Sequence, residues 1–597
     1  MNFFDRVKAQ IFKGVEHLAA NFDCAVQGVH RDVDSYMAVA EQSLTLVEAE
    51  KIDPSLAGSV LTAYDLLKRQ LLLGDSDRFL VVSGALTGIQ DFLFDTTSSG
   101  ALKRLRGRSF YLSLLIDAVV EALLGEFNLS RQSLLYNSGG TFCMIVPNVD
   151  GVEARFDDFA RRVKTLIFNQ YGKQMVLLNA LPASRAEVEH NLSDILARLQ
   201  QLKVRDKHTP LAAKLGEAEF CSTFFAPQSA VDSQEFGVAL MESIGSNLGK
   251  TKYLFVTRGV SLPNSAMVTI TPIEGIGVKY AMLDKFDNEF DYSDGTLICY
   301  NSTPIPKGIA CRREYIAGVG SHTRTFEELN ASWIAVLRMD VDNLGVTMRN
   351  SFAGKYPLAG YANMSRQLDI YFKRCLNDMW LSGGYDRSIV IVYSGGDDLF
   401  LVGEWSKVIE FAQLINEQSQ VFFAKNPITI SAGIAITDMK YPLLRAAEMG
   451  ASEESLAKRF TYNGSSKNAI SIFGVPMRWD VEFKQVMSLS DRLNTLRNEN
   501  AKLINPILRR VLSYSEMASF ENGEITPVRL IWLVTYDLSR SKNRNRNYKE
   551  LGELIDMCKL DITVGNTIWG AKVDMPYHSL QMWSIAARLV EIKNRNI

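Results

Sequence analysis

Two stretches of the chain show the same succession of patterns: an apolar run of strand length, a long segment with helical spacing, then two apolar runs pinched around glycines. In the later stretch the first run is Ser332–Asp340 (SWIAVLRMD), and Ala359–Trp380 follows with helix-like spacing. Ser388–Tyr393 and Leu399–Gly403 then flank Ser394-Gly395-Gly396-Asp397-Asp398. In the earlier stretch the corresponding pieces are Phe79–Ala85 (FLVVSGA), Ala101–Leu124 and Leu134–Pro147 (LLYNSGGTFCMIVP), pinched at Ser138-Gly139-Gly140. Short apolar runs bounded by glycine read as strands, and glycine pairs between them read as hairpin turns. Gly88 to Gly139 spans 51 positions and Gly345 to Gly395 spans 50, so the pattern predicts a duplicated module. Downstream, Ser431–Ala435 and Ala469–Phe473 read as further strands and Leu443–Lys458 as a helix. From residue 481 onward the spacing is helical, as in Leu503–Val511 and Trp583–Ile592.

The two copies differ in their acids. Asp397 and Asp398 are adjacent carboxylates at the tip of an apolar hairpin, where they repel one another and resist burial unless cations bind them. Asp340 ends a separate apolar strand, and a site for two divalent cations needs carboxylates from more than one strand. Asp340, Asp397 and Asp398, with the Val341 carbonyl, are therefore the candidate metal ligands, and hard Mg²⁺ suits such oxygens together with substrate phosphates. Either motif alone also fits a plain turn, with Asp340 and Asp342 as caps. In the first copy Thr141 and Phe142 stand where the second has Asp397 and Asp398, and Ser83 and Ala85 where it has Asp340 and Asp342. Its expected role is passive: to hold a nucleotide or to support the active copy.

At 597 residues the chain exceeds a single core, and a net charge of −2 excludes an overall basic protein while allowing basic patches. The first residues lack a signal-peptide core, and no uninterrupted apolar run reaches transmembrane length. Seven scattered cysteines predict reduced thiols and a cytoplasmic location, without a membrane partner. Lys103, Arg104, Arg106 and Arg108 form a basic lip that reads either as a solvated face or as phosphate contacts. Lys458 and Lys467 are candidate triphosphate contacts, and Arg540–Asn547 is a basic polar loop open to solvent, RNA or a partner.

The motifs Arg338–Gly345 (RMDVDNLG), Ser365–Asp369 (SRQLD), Tyr393–Leu399 (YSGGDDL) and Lys467-Asn468 together resemble the large palm-domain signalling subunit of type III CRISPR effector complexes, the Cas ten family. Gly88–Phe92 (GIQDF) and Leu105–Leu112 (LRGRSFYL) extend the resemblance to the first module, over roughly residues 78–480. The resemblance implies an α/β (α+β) fold with two ferredoxin-like palm domains of the cyclase type. The implied boundaries are a short helical region at 1–77, a degenerate palm at 78–185, an inter-palm α/β segment at 186–325, a catalytic palm at 326–480 and a helical domain at 481–597. It also implies a metal-dependent nucleotidyltransferase using Mg²⁺ or Mn²⁺, with two ATP molecules between the palms and a cyclic oligoadenylate product. S-adenosylmethionine is a possible co-substrate in some relatives. Carried over by motif, Asp340, Asp397 and Asp398 are catalytic. Gly395, Gly396, Gly139 and Gly140 admit the nucleotide, Lys458 and Lys467 meet its phosphates, and Ser365 contacts the base. The implied partners are guide RNA, target RNA, and the backbone and small subunits of the complex. Two family signatures are expected to be missing. With only His17 and His30 in the first hundred residues, no HD-type DNase is expected, and Cys221, Cys299 and Cys311 lie too far apart in sequence for the inter-palm zinc motif. The rival readings are a diguanylate-cyclase-like GTP enzyme and a non-catalytic ribonucleoprotein scaffold.

Overall fold

The computed structural model describes residues 72–94, 101–171, 175–208, 237–319, 332–351, 357–424, 428–462, 465–519, 527–544, 548–564 and 578–595, except 75, 307, 308 and 310. The expected helical N-terminal region, with His17 and His30, lies outside the described residues, as does Cys221. Contacts divide the chain into two compact units. The second comprises 326–342, 388–390 and 398–597, and the first comprises the rest, so the division falls between Asp397 and Asp398.

In the first unit, strands β1 (Arg78–Leu86), β2 (Leu134–Ser138), β3 (Thr141–Pro147) and β4 (Val176–Ser184) form a sheet in the order β2-β3-β1-β4. β1 is antiparallel to both of its neighbours, and six of its nine residues are buried, which is why its sequence is a continuous apolar run. Helix α1 (Ala101–Phe127) connects β1 to β2. A second sheet has the order β6-β7-β5-β8-β9, built from β5 (Tyr253–Thr257), β6 (Val268–Ile270), β7 (Lys279–Leu283), β8 (Gly295–Tyr300) and β9 (Cys311–Glu314). Its core joins Phe255, Tyr292, Leu297 and the thiols Cys299 and Cys311.

The later copy contributes β10 (Trp333–Val341), β11 (Ile389–Gly395), β12 (Asp398–Glu404) and β13 (Ile430–Asp438). A small ribbon, β14 (Thr461–Tyr462) with β15 (Ser465–Ser466), precedes β16 (Ala469–Ile472) and β17 (Val475–Arg478). The sheet order is β11-β12-β10-β13-β16-β17. Its first four strands repeat the order of β2-β3-β1-β4, so the duplication read from the sequence is a duplication of topology. Five helices follow, Lys484–Glu499, Ala501–Ser519, Pro527–Arg544, Lys549–Val564 and His578–Asn594, around buried Leu493, Val534, Leu554 and Trp583.

Three expectations change. Ala359–Trp380 is not one helix: α2 (Pro357–Asp369) passes into a π-helical turn over Ile370–Cys375 before Leu376–Ser382. Arg540–Arg544 is the last turn of a helix rather than a loop, and 545–547 lie outside the described residues. The basic lip is mostly internal: Arg106 and Arg108 are buried, donating to the Gly318 and Phe92 carbonyls, and Arg104 pairs with Glu242 at 2.7 Å. Burial lowers the Arg106 pKa to about 10. Periodicity could not distinguish these arginines from surface charges, because they satisfy backbone carbonyls brought in from elsewhere in the chain.

The correspondence between the copies is also offset from the Ser-Gly-Gly match. Each hairpin closes on a two-residue turn, Gly139-Gly140 in the first and Gly396-Asp397 in the second. Ala85 pairs with Thr141 as Asp340 pairs with Asp398. The counterpart of Asp398 is therefore Thr141, and that of Asp340 is Ala85. Both are free of carboxylate, and Thr141 Oγ1 turns back to donate to the Ser138 carbonyl at 3.0 Å.

Candidate nucleotide site

In the second unit, β10 delivers Asp340 into direct register with Asp398 on β12 and Ser431 on β13. Two carboxylates opposed across antiparallel strands repel one another unless a cation neutralises them. One cation comes from helix α3 (Leu443–Arg459): Lys458 Nζ ion-pairs with Asp340 and, at 2.7 Å, with Glu454. Burial works against its charge, but the hydrogen bonds it donates to Asp340 and Glu454 outweigh that and hold the ammonium above its ordinary pKa. Arg338, two residues before Asp340 and so on the same face, reaches Glu454 at 3.1 Å. Lys458 thus sits on the carboxylate expected to bind metal, where the sequence suggested only a phosphate contact.

Asp342 has a different task. It is 3% exposed, and its carboxylate accepts from Thr429 Oγ1 at 2.9 Å, Ser431 Oγ at 2.7 Å and the Asn468 N–H at 2.9 Å. Lys467 and Asn468 both have positive φ, and the Lys467 N–H donates to the Phe460 carbonyl at 2.9 Å. Asp342 therefore fastens the Lys467-Asn468 turn to the end of β10. The sequence offered Asp342 only as a turn cap beside Asp340 and did not show that it was caged.

In the first unit, the two hairpin turns meet. A Cβ placed on Gly396 would stand 3.2 Å from Gly139 Cα, and one on Gly139 would stand 3.6 Å from Asp397 Oδ1. Both glycines have positive φ, so conformation favours the lack of a side chain at each, and at Gly396 the close approach of the Gly139 backbone adds to it. Beside them opens a cavity of about 410 Å³, lined by Gly139, Gly140, Gly395, Ser365, Asp369 and Lys373 and, deeper, by Leu112, Leu135, Ile298 and Tyr300. Arg106, Arg131, Arg313 and Arg366 also line it, against the acids Asp117, Glu314 and Asp369. An apolar floor with a cation-rich polar wall is the chemistry that a base and its phosphates require. Ser365, Gly139, Gly140 and Gly395 are thus brought to one cavity. Lys458, Lys467, Asp340 and Asp398 belong to the second unit.

A further group was not legible in the sequence. Asp117 on α1 accepts from Arg131 at 2.8 Å, Asn137 at 3.3 Å and Tyr280 at 3.0 Å, while Arg312 spans Asp117 at 3.5 Å and Glu121 at 3.0 Å. Burial raises the Asp117 pKa, but Arg131 and Arg312 override it and leave the carboxyl below its ordinary value. Tyr280 and Arg312 come from 163 and 195 residues away in the chain, so no local spacing announces the whole cluster.

The donor set suits a hard divalent cation: Asp340 and Asp398 are paired carboxylates on rigid strands, and the Val341 carbonyl follows on the same strand. Among the described residues no three His, Cys, Asp or Glu side chains form a complete metal cluster, so water or phosphate oxygens would have to finish the shell.

Residues 78–222 match the model of the Csm1 subunit domain B, and residues 333–471 match that of the Cas10/Cmr2 second palm domain. The chain carries Cas10/Csm1 domains. Similar curated proteins are named CRISPR system single-strand-specific deoxyribonuclease Cas10/Csm1 of subtype III-A. The Enterococcus italicus protein is 29% identical over 66% of this chain and 54% of its own length, and that of Mycobacterium tuberculosis 27% identical over 68% and 56%. The chain thus spans a little over half the length of these Cas10/Csm1 relatives. The fold is that of Csm1 in a Csm1–Csm4 subcomplex, with a TM-score of 0.68 at 18% identity, covering 97% of this chain and 80% of that one. It is shared equally by Csm1–Csm4 cassettes solved with one ATP and with cA4, each at a TM-score of 0.67. Among the described residues no helix is long and apolar enough to cross a membrane.

Proposed function

We propose that this chain is the palm-domain subunit of a type III CRISPR complex and a nucleotidyltransferase that links adenylates from ATP. Cyclic oligoadenylate is the expected product. The observation that carries the reading is the register pair Asp340–Asp398 with Lys458 upon it, in a module whose topological twin keeps the turn but no acid. Csm1 proteins of the same fold have been solved with ATP and with cA4, which favours adenine nucleotides over the GTP reading. The whole-complex setting, with guide and target RNA and neighbouring subunits, follows from the Cas10/Csm1 relatives and belongs to the same proposal.

Asp340 and Asp398 would hold Mg²⁺ or Mn²⁺, with Val341 lending its carbonyl and Asp397, the residue before Asp398, a further carboxylate. A divalent ion there supplies Lewis-acid polarisation of the phosphate and activation of the attacking hydroxyl. The protein's own share is orientation. Lys458 balances the carboxylates and offers its ammonium to a triphosphate as they take up metal. The cavity beside the turns, lined by Gly139, Gly140, Gly395 and Ser365, takes a base.

The test is incubation of the purified assembly with ATP and Mg²⁺ or Mn²⁺, with matched or mismatched RNA, and mass spectrometry of the products. Parallel arms use GTP, and ATP with S-adenosylmethionine. Asp340→Ala and Asp398→Ala are expected to lower product formation about 10²–10³-fold, the loss typical when a group stabilising transition-state charge is removed, while assembly is retained. Undiminished product from Asp398→Ala would place the chemistry elsewhere.

A further inference from the structure

Both glycine turns are tied to one short stretch of backbone, the junction where α2 becomes π-helical. From the first hairpin, Ser138 Oγ donates to Asp369 Oδ1 at 2.5 Å. From the second, Ser394 Oγ donates to the Phe372 carbonyl. Lys373 closes the arrangement: its ammonium lies 2.9 Å from the same Asp369 oxygen, and its Cε would be 3.8 Å from a Cβ on Gly395. Asp369 ends α2, Phe372 and Lys373 lie within the π-helical turn that follows, and such turns offer carbonyls that a regular α-helix would use internally.

We propose that Ser138, Ser394 and Asp369 are positioning residues, which set the spacing of the two turns by clamping both to the α2 junction. A hydroxyl on one hairpin and a hydroxyl on the other meet the same turn of helix, so displacing one turn displaces the strut that holds its neighbour. The clamp explains a retained feature of the first copy. Its turn has no carboxylate to present, yet its serine is spent on the segment that also restrains the active turn. The catalytic consequence rests on the nucleotidyl-transfer reading; the mechanical coupling does not.

Hydrogen exchange of the full chain, read by mass spectrometry over residues 134–147 and 389–404, tests the coupling for Ser138→Ala and Ser394→Ala. Each variant is expected to accelerate exchange about tenfold or more at both hairpin tips, the signature of a shared local opening. Ser138→Thr, which keeps the hydroxyl, is expected to restore wild-type exchange. Acceleration confined to the substituted hairpin, or no change at either tip, would overturn the clamp. In the product assay, Ser138→Ala is expected to reduce kcat on the order of tenfold with KM for ATP within about twofold, since misplacement of a site costs rate rather than ground-state binding. A raised KM with unchanged kcat would make Ser138 a ligand contact and would also overturn the proposal. A wild-type assembly that makes no product sinks the functional reading alone, because the exchange result is independent of it.

Discussion

Asp340 lies near the end of β10 and Asp342 in the turn just past it, and their surroundings give them opposite tasks. Asp340 shares Lys458 with Glu454 and has Asp398 across the strand, an arrangement that a cation can enter. Asp342 is enclosed by Thr429, Ser431 and the Asn468 N–H, which occupy three of its acceptor sites in a buried place. Asp342→Ala orphans three donors in a buried place. It is expected to lower unfolding free energy by about 3 kcal/mol, since one hydrogen bond to a charged group contributes about 1.5–3 kcal/mol, measured by urea denaturation. The sequence made Asp340 legible because an acid after an apolar run is costly without a purpose. The task of Asp342 stayed hidden because Thr429, Ser431 and Asn468 are 87 to 126 residues away in the chain.

At the scale of elements, the paired strands and the turns were plain from apolar runs and glycines, and the repeated strand order follows from them. The break of α2 into a π-helical turn was not plain, since residues on either side keep helical spacing. Nor was the clasp of α1, where Asp117 joins Arg131, Asn137, Tyr280 and Arg312 and so braces β2 just before its turn. Asp117→Asn leaves two partly buried guanidinium groups short of a counter-charge and is expected to cost about 3 kcal/mol at pH 7. The Asp117 pKa is lower folded than unfolded, so its stabilisation is present above the unfolded value near pH 4 and fades as pH falls through the folded value. The gap between wild type and Asp117→Asn in urea midpoint should therefore narrow as pH falls from 7 toward 3. A constant gap would mean that the carboxylate charge is not what holds the clasp.

Over the whole molecule, one module keeps acids and the other keeps only the frame that once suited them: the same four-strand order, a two-residue turn, and Ala85 and Thr141 where Asp340 and Asp398 pair. The contact of Gly139 with Gly396 has a consequence for how the two frames can change. A Cβ on Gly396 would crowd the Gly139 backbone at 3.2 Å, one on Gly139 would reach only ordinary contact with Asp397 Oδ1 at 3.6 Å, and each adds the strain of a positive φ. Gly139→Ala is expected to depress product formation about tenfold although the hairpin it belongs to has no acid, and Gly139→Ala with Gly396→Ala should cost less than the two losses combined. Additive losses, measured by product assay alongside a thermal melt, would mean that the tips act separately. If they do not, position 139 answers to the chemistry of position 396. The inert hairpin is then constrained by a neighbour's task, and the pair can drift only together.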